Sequence, residues 1–128
     1  VFHQLGHRCG YVEIPRGHKL FEKDYDEIDL QVHGGLTYSN HYSFPEGDTD
    51  NWWIGFDCAH SDDAKDYKTA FEVFKDYPEA LSSLHYMEQL DRGFGMYECG
   101  EIRTLQFVED ELKSLVDQIL RDEMGVLE

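Results

Sequence analysis

The chain of 128 residues carries 27 acidic side chains against 11 basic ones, giving a formal net charge of −16, and 41% of its residues are hydrophobic. This length predicts one domain over residues 1–128, and the hydrophobic content argues against global disorder. A field of this sign repels phosphate, so we expect no direct nucleic-acid binding. No apolar run is long enough for a membrane span and no signal-peptide pattern begins the sequence, so we expect a soluble intracellular protein with no membrane contact.

The acidity itself has two interpretations. In the first, the protein is a decoy that offers its carboxylates to a basic groove on another protein; in the second, the carboxylates form a solvated surface that keeps a small protein soluble. The second interpretation is the more common one among small acidic proteins.

Three segments alternate apolar and polar residues in the way that is typical of β-strands. We predict strands over residues 5–14, 28–38 and 51–60, the first of which ends before Pro15. In the third segment alternation assigns one face to the core and places Asp57 on the opposite face. The residues predicted to share the core face are Trp52, Ile54, Phe56 and Cys58.

The remaining segments predict one loop, a helical insertion and a linking strand. Turn-forming residues fill residues 39–50, which predicts a loop. A helical insertion is predicted at about residues 64–92, with Pro78 in the first turn of its second helix. Residues 96–102 form either an extended link or a short strand that joins the sheet.

The last element is a predicted amphipathic helix. Its apolar side chains recur at intervals of three and four residues, which places them in one stripe. The stripe comprises Leu105, Val108, Leu112, Leu115 and Ile119, supported by Val116 and Leu120. The fold class that follows is α+β: a mostly antiparallel sheet of three to four strands, with the C-terminal helix packed on one face.

The first candidate site combines His33, Asp57 and His60. If their two strands are neighbours, His33 and Asp57 lie on one sheet face, with His60 at the strand end. Such a trio suits a divalent metal such as zinc or a general-base pair, and the glycines at 34, 35 and 55 remove side chains where a ligand needs room. The competing interpretation is a satisfied polar network that fixes a β-bulge.

An alternative metal site uses His7, Cys9, Cys58 and His60. Each histidine stands two residues from a cysteine, so each pair faces the same way on a strand, and two adjacent strands could complete a tetrahedral zinc site. The competing interpretation is that the cysteines are core residues. Their odd number, three, argues against a disulfide framework.

A third hypothesis is a ligand-binding site. Four aromatic side chains could stack on a flat ligand, namely Trp52, Trp53, Tyr38 and Tyr42. Arg8, Arg16 or Arg103 could then neutralise a phosphate, although core packing also explains the tryptophans. The sequence contains no Walker loop, no GxGxxG and no GxSxG motif. The residues expected to bind a ligand are His33, Gly34, Gly35, Asp57, His60 and Arg103.

Four stretches resemble, in this order, a group of small proteins encoded by bacteriophages and related mobile elements. They are GHRCGYVEIPRGHKL, DYDEIDLQVHGGLTYS, WWIGFDCAHSDD and RTLQFVEDELKSL. The resemblance covers roughly residues 6–62 and 103–116, and residues 64–98 are the variable part. It implies a viral origin and the cytoplasm of an infected bacterium, and it supplies no catalytic residue.

Three function classes follow from these observations. The leading hypothesis is a non-catalytic binding or inhibitory protein that acts against host defence, either by sequestering a nucleotide-derived signal or by occupying a defence protein. The second is a metal-dependent hydrolase that uses His33, Asp57 and His60. The third is a structural or assembly protein that docks on a partner or on a second copy of itself through its last helix or through residues 64–98.

Overall fold

The computed structural model describes residues 1–3, 5–43, 47–97 and 99–123, without the side chains of residues 43, 47–49, 122 and 123. Its contacts divide the chain into two compact units. The first unit comprises Val1, Cys9–Asp57 and Leu105–Glu128, and the second comprises Phe2–Arg8 and Cys58–Thr104. Compactness does not show that a unit folds by itself, so the single domain stays a prediction. Among the described residues, no helix combines the length and the apolarity that a bilayer crossing requires.

The first unit contains the main sheet. Strands β1 (Cys9–Ile14), β2 (Tyr38–Ser43) and β3 (Gly47–Asp57) pair antiparallel in the order β1-β3-β2. Ile54 of β3 stands opposite Val12 on one side and Ser39 on the other. The predicted core face of β3 is confirmed, because all four of its side chains are buried. They are Trp52, Ile54, Phe56 and Cys58.

The segment before β2 corrects the sequence analysis. The predicted strand over residues 28–38 is wrong except for Tyr38, because residues 28–37 form no ladder. Ile28 is nevertheless buried, and Leu30 and Val32 pack against the core. Alternation correctly indicated which side chains face inward, but inward-facing side chains do not require a strand partner. The predicted loop over residues 39–50 is also wrong, since it contains most of β2 and the start of β3.

Helix α3 (Leu105–Glu123) contributes to the core of the first unit. Val108, Leu115 and Ile119 are buried as the stripe predicts. The buried stripe begins one turn later and is narrower than predicted, because three of its predicted members are exposed: Leu105 (60%), Val116 (39%) and Leu120 (49%). The helix and the strands share one cluster of buried side chains. Its members are Ile14, Leu20, Ile28, Trp52, Ile54, Leu115 and Ile119.

The second unit contains the predicted helical insertion. Helices α1 (Tyr67–Val73) and α2 (Pro78–Gly93) bury a small cluster of side chains between them, and Pro78 occupies the first turn of α2 as predicted. Strand β5 (Glu101–Ile102) pairs in parallel with β4 (Asp63–Ala64). The suggestion that residues 96–102 join the main sheet is therefore wrong. The members of the small cluster are Tyr67, Ala70 and Leu84, packed against Phe2, Phe71, Phe74, Met87 and Tyr97.

Candidate functional site

His33, Gly34 and Gly35 lie in a turn of the first unit. Gly34 and Gly35 have φ values of 68° and 81°, which side chains rarely tolerate, so the turn itself requires glycine. The His33 backbone N–H donates to Oε1 of Glu111 on α3 at 2.7 Å, and the His33 ring packs edge-on against Phe107 with ring centroids 5.1 Å apart. A Cβ added at Gly35 would meet nothing within 4 Å, so there is open space beside this turn.

Asp57 is the last residue of β3 and its carboxylate is hydrogen-bonded. The hydroxyl of Thr37 donates to Oδ2 of Asp57 at 3.0 Å, which supplies one of the partners that a partly buried carboxylate requires. The space beside Gly55 is not available to a ligand, because a Cβ there would lie 2.5 Å from the Tyr11 ring and 2.8 Å from the Gly10 carbonyl oxygen. The absence of a side chain at Gly55 therefore lets β1 pack closely against β3.

A buried carboxylate, Asp63, organises the polar part of the second unit. Its side chain is 0% exposed, and its Oδ1 accepts a hydrogen bond from Nε of Arg103 at 2.7 Å. Its Oδ2 accepts from the backbone N–H of His60 and contacts Nδ1 of His60, both at 3.0 Å. Asp62 and Glu101 contact the other Arg103 nitrogens at 3.3 and 3.1 Å. Arg103 is thus the centre of a carboxylate network.

A second buried ion pair lies beside this network. Nη1 of Arg8 donates to Oδ2 of Asp66 at 3.1 Å and to the backbone carbonyl of Arg103 at 3.0 Å. Asp66 also caps α1 by accepting from the Thr69 N–H at 3.2 Å. Burial acts to raise the pKa of Asp66, but the Thr69 hydrogen bonds and the Arg8 guanidinium outweigh it and hold that pKa below its usual range.

A third polar group in the second unit centres on Asp91 of α2. Its carboxylate accepts hydrogen bonds from the Tyr67 hydroxyl and, at 2.9 Å, from the Lys65 ammonium. Burial acts to raise the pKa of Asp91, but these two donors outweigh it and leave the pKa lowered. Burial raises the pKa of Tyr67, and the hydrogen bond to Asp91 adds to that shift.

Three of the four residues of the predicted zinc site line the same cavity. His7, Cys58 and His60 line one cavity of about 170 Å³ in the second unit, together with Lys65. Among the described residues, the donor atoms of these three do not all lie within 4.8 Å of one another, so side chains would have to move to share an ion. Cys9 belongs to the first unit, where burial raises the pKa of its thiol and the nearby Asp57 adds to the shift.

The trio of His33, Asp57 and His60 is distributed over both units. His33 and Asp57 belong to the first unit and His60 to the second. His33 and Asp57 do not share a sheet face as predicted, because His33 lies in a turn and not in a strand. The metal site stays a prediction.

Sequence reasoning missed two features of the structure. The first is Asp63, which stands three residues after His60, a spacing at which a turn can return a carboxylate to the ring. The second is an exposed acidic cluster at the 3₁₀ turn Tyr25–Glu27, where carboxylate oxygens of Asp24, Asp26 and Glu27 lie within 4.8 Å of one another. The run DYDE in the sequence is the signal that could have found this cluster.

Comparisons with known proteins return no relative. No protein-family model, no curated protein and no solved structure matches this chain.

Proposed function

We propose that this chain is a non-catalytic binding protein of a bacteriophage or related mobile element, and that it occupies a basic surface of a defence protein in the host cytoplasm. The observation that carries the proposal is the acidic cluster formed by Asp24, Asp26 and Glu27 in the first unit. Three like charges at such short range repel one another, and cationic side chains of a partner would relieve that repulsion.

The distribution of the arginines supports a negatively charged binding surface. Arg8 and Arg103 are only 14% and 16% exposed, and both are neutralised by the buried carboxylates Asp66 and Asp63. The net charge of −16 must then be carried by the other side chains. Such a field accelerates encounter with a basic partner and makes the association sensitive to salt.

The thiols support binding over nucleophilic catalysis. Cys9 and Cys58 are buried, and the raised pKa of Cys9 is the opposite of what a thiolate nucleophile needs. The cavity that Cys58 shares with His60 holds about 170 Å³, below the roughly 300–1,000 Å³ of usual small-molecule sites. Occupation of a defence protein is therefore better supported than sequestration of a nucleotide signal in that cavity.

The test uses two variants that lose the same number of charges. The turn variant carries Asp24→Asn, Asp26→Asn and Glu27→Gln. The helix control carries Glu109→Gln, Asp110→Asn and Asp117→Asn on exposed positions of α3. Each chain is expressed in bacterial strains that each carry one defence system, and phage plaquing is measured. The defence protein of a protected strain is then purified and its binding is titrated at several salt concentrations.

We expect wild type to restore plaquing on at least one strain. The turn variant should bind about tenfold more weakly, because three close charge pairs are lost, and the helix control should stay close to wild type. Equal losses in both variants would show a general charge effect and contradict the assigned surface. Failure of wild type to restore plaquing on every strain, or to bind the defence component, would refute the proposed function.

A metal-dependent hydrolase is the second candidate. It is favoured by the contact of Asp63 Oδ2 with Nδ1 of His60, since a carboxylate that orients an imidazole in this way often stands behind a metal-ligating histidine. Elemental analysis of the purified chain and thermal unfolding with and without chelator test it. Absence of stoichiometric metal together with unchanged thermal stability would remove this candidate.

A structural or assembly role is the third candidate. Tyr86, Leu90 and Phe94 recur every fourth residue along α2 and its end, and they are 64%, 40% and 78% exposed. Exposed apolar stripes of this kind often contact a partner. Light scattering of wild type and of Phe94→Ser tests self-assembly through the stripe, and a wild-type monomer at all concentrations would contradict it.

A further inference from the structure

A groove of about 450 Å³ lies in the first unit, beside β1, the turn that follows it and α3. Its volume falls within the range of small-molecule sites, roughly 300–1,000 Å³. Val116 and Leu120 are 39% and 49% exposed, so this part of α3 presents apolar surface to solvent. The apolar side chains along the groove are Val12, Ile14, Pro15, Val116, Ile119 and Leu120.

Arg16 supplies the positive charge of the groove. Unlike Arg8 and Arg103, it forms no ion pair with any residue that the structure describes, and it is exposed. In a chain with a net charge of −16, an arginine without a carboxylate partner at the side of an apolar groove is a distinctive feature. A guanidinium presents paired N–H donors whose geometry matches a carboxylate.

His18 adds a hydrogen-bond donor to the same wall. Its Nδ1 accepts from the Leu20 backbone N–H at 3.1 Å, which leaves the proton of a neutral ring on Nε2. Nε2 is buried and has no hydrogen-bond partner among the described residues, a costly state for a polar atom. Because Nε2 is covered, it reaches an acceptor in the groove only if the ring turns outward, which costs the hydrogen bond from Leu20. Arg16 therefore supplies the main polar contact of the groove, and His18 supplies a secondary one.

We propose that this groove binds a small amphipathic monocarboxylate, with its hydrocarbon part between β1 and α3 and its carboxylate on Arg16. The groove offers one unpaired guanidinium, and its other charged side chain is the exposed carboxylate of Glu13. Together with the negative field of the chain, Glu13 disfavours a multiply charged head such as a diphosphate. This binding site is independent of the acidic cluster of the proposed function.

The test compares three ligands of equal chain length: decanoate, the neutral primary alcohol and the primary ammonium. Each is titrated into the full chain while the methyl signals of Val12, Val116 and Leu120 are followed by NMR. We expect decanoate to shift these signals and to bind about tenfold more tightly than the alcohol, because a charge-assisted pair with Arg16 is gained. The ammonium should bind more weakly than the alcohol.

Two variants test whether the preference for decanoate depends on the guanidinium of Arg16. Arg16→Gln should reduce the advantage of decanoate over the alcohol to about twofold or less, while the matched control Arg121→Gln, an exposed arginine of α3 that does not line the groove, should retain it. Equal affinity for decanoate and the alcohol in wild type would overturn the proposal, as would tighter binding of the ammonium. Absence of shifts with all three ligands, or an equal loss in both variants, would overturn it as well.

Discussion

The buried carboxylate of Asp63 offers the sharpest test of how the second unit is stabilised. Its side chain is 0% exposed and contacts Nε of Arg103 at 2.7 Å and two nitrogen atoms of His60 at 3.0 Å. Asp63→Asn preserves the shape of the side chain and removes its charge. Breaking a buried ion pair costs about 3–5 kcal/mol, because the partner charge loses its compensation. Arg103 keeps Asp62 and Glu101 as neighbours, so we expect the lower end, about 3 kcal/mol.

The matched control for this prediction is Asp62→Asn. Asp62 contacts the same arginine, at 3.3 Å, but it is 69% exposed, so its loss should cost less than about 1 kcal/mol. Hydrogen exchange measured by mass spectrometry over residues 58–97 reports the second unit, whereas fluorescence of Trp52 and Trp53 reports the first. A loss of protection in Asp63→Asn no larger than in Asp62→Asn would refute the claim that burial makes this ion pair important.

Three further predictions concern acid stability, strand packing and thiol reactivity. The lowered pKa of Asp66 means that its charge stabilises the native state above the ordinary carboxyl pKa of about 4, and that this stability is lost as the pH falls through the lowered value. Asp66→Asn should flatten the acid unfolding curve of wild type in that range. Gly55→Ala should lower the free energy of unfolding by about 2–3 kcal/mol, because the added methyl group would collide with the Tyr11 ring and the Gly10 carbonyl oxygen. Gly35→Ala should lower it by about 1 kcal/mol, for its positive φ alone. Urea denaturation measures both, and equal costs would contradict close packing at Gly55. In the native protein the exposed thiol of Cys99 should react with a disulfide reagent about tenfold faster or more than buried Cys9, and comparable rates would contradict the assigned burial.

The sequence alone determined inward-facing side chains on two elements of the first unit. Alternation identified the core face of β3, and the spacing of apolar residues identified α3, because burial of one face imposes a period on the sequence. The same signal failed at residues 28–37, where Ile28 is buried without any strand ladder. Periodicity reports burial, whereas a strand also needs a hydrogen-bonding partner, and that partner is chosen by tertiary structure.

For the candidate sites, the sequence indicated which residue types matter, and the tertiary structure decided which of them pair. Composition identified the acidic residues, the histidines and the arginines as the residues of interest. Only the tertiary structure decided that Arg103 is held by Asp63 and that Arg16 has no ion-pair partner among the described residues. The physical reason is that the role of a charged side chain depends on which opposite charges the fold brings within a few ångströms of it, and residues 63 and 103 are far apart in the sequence.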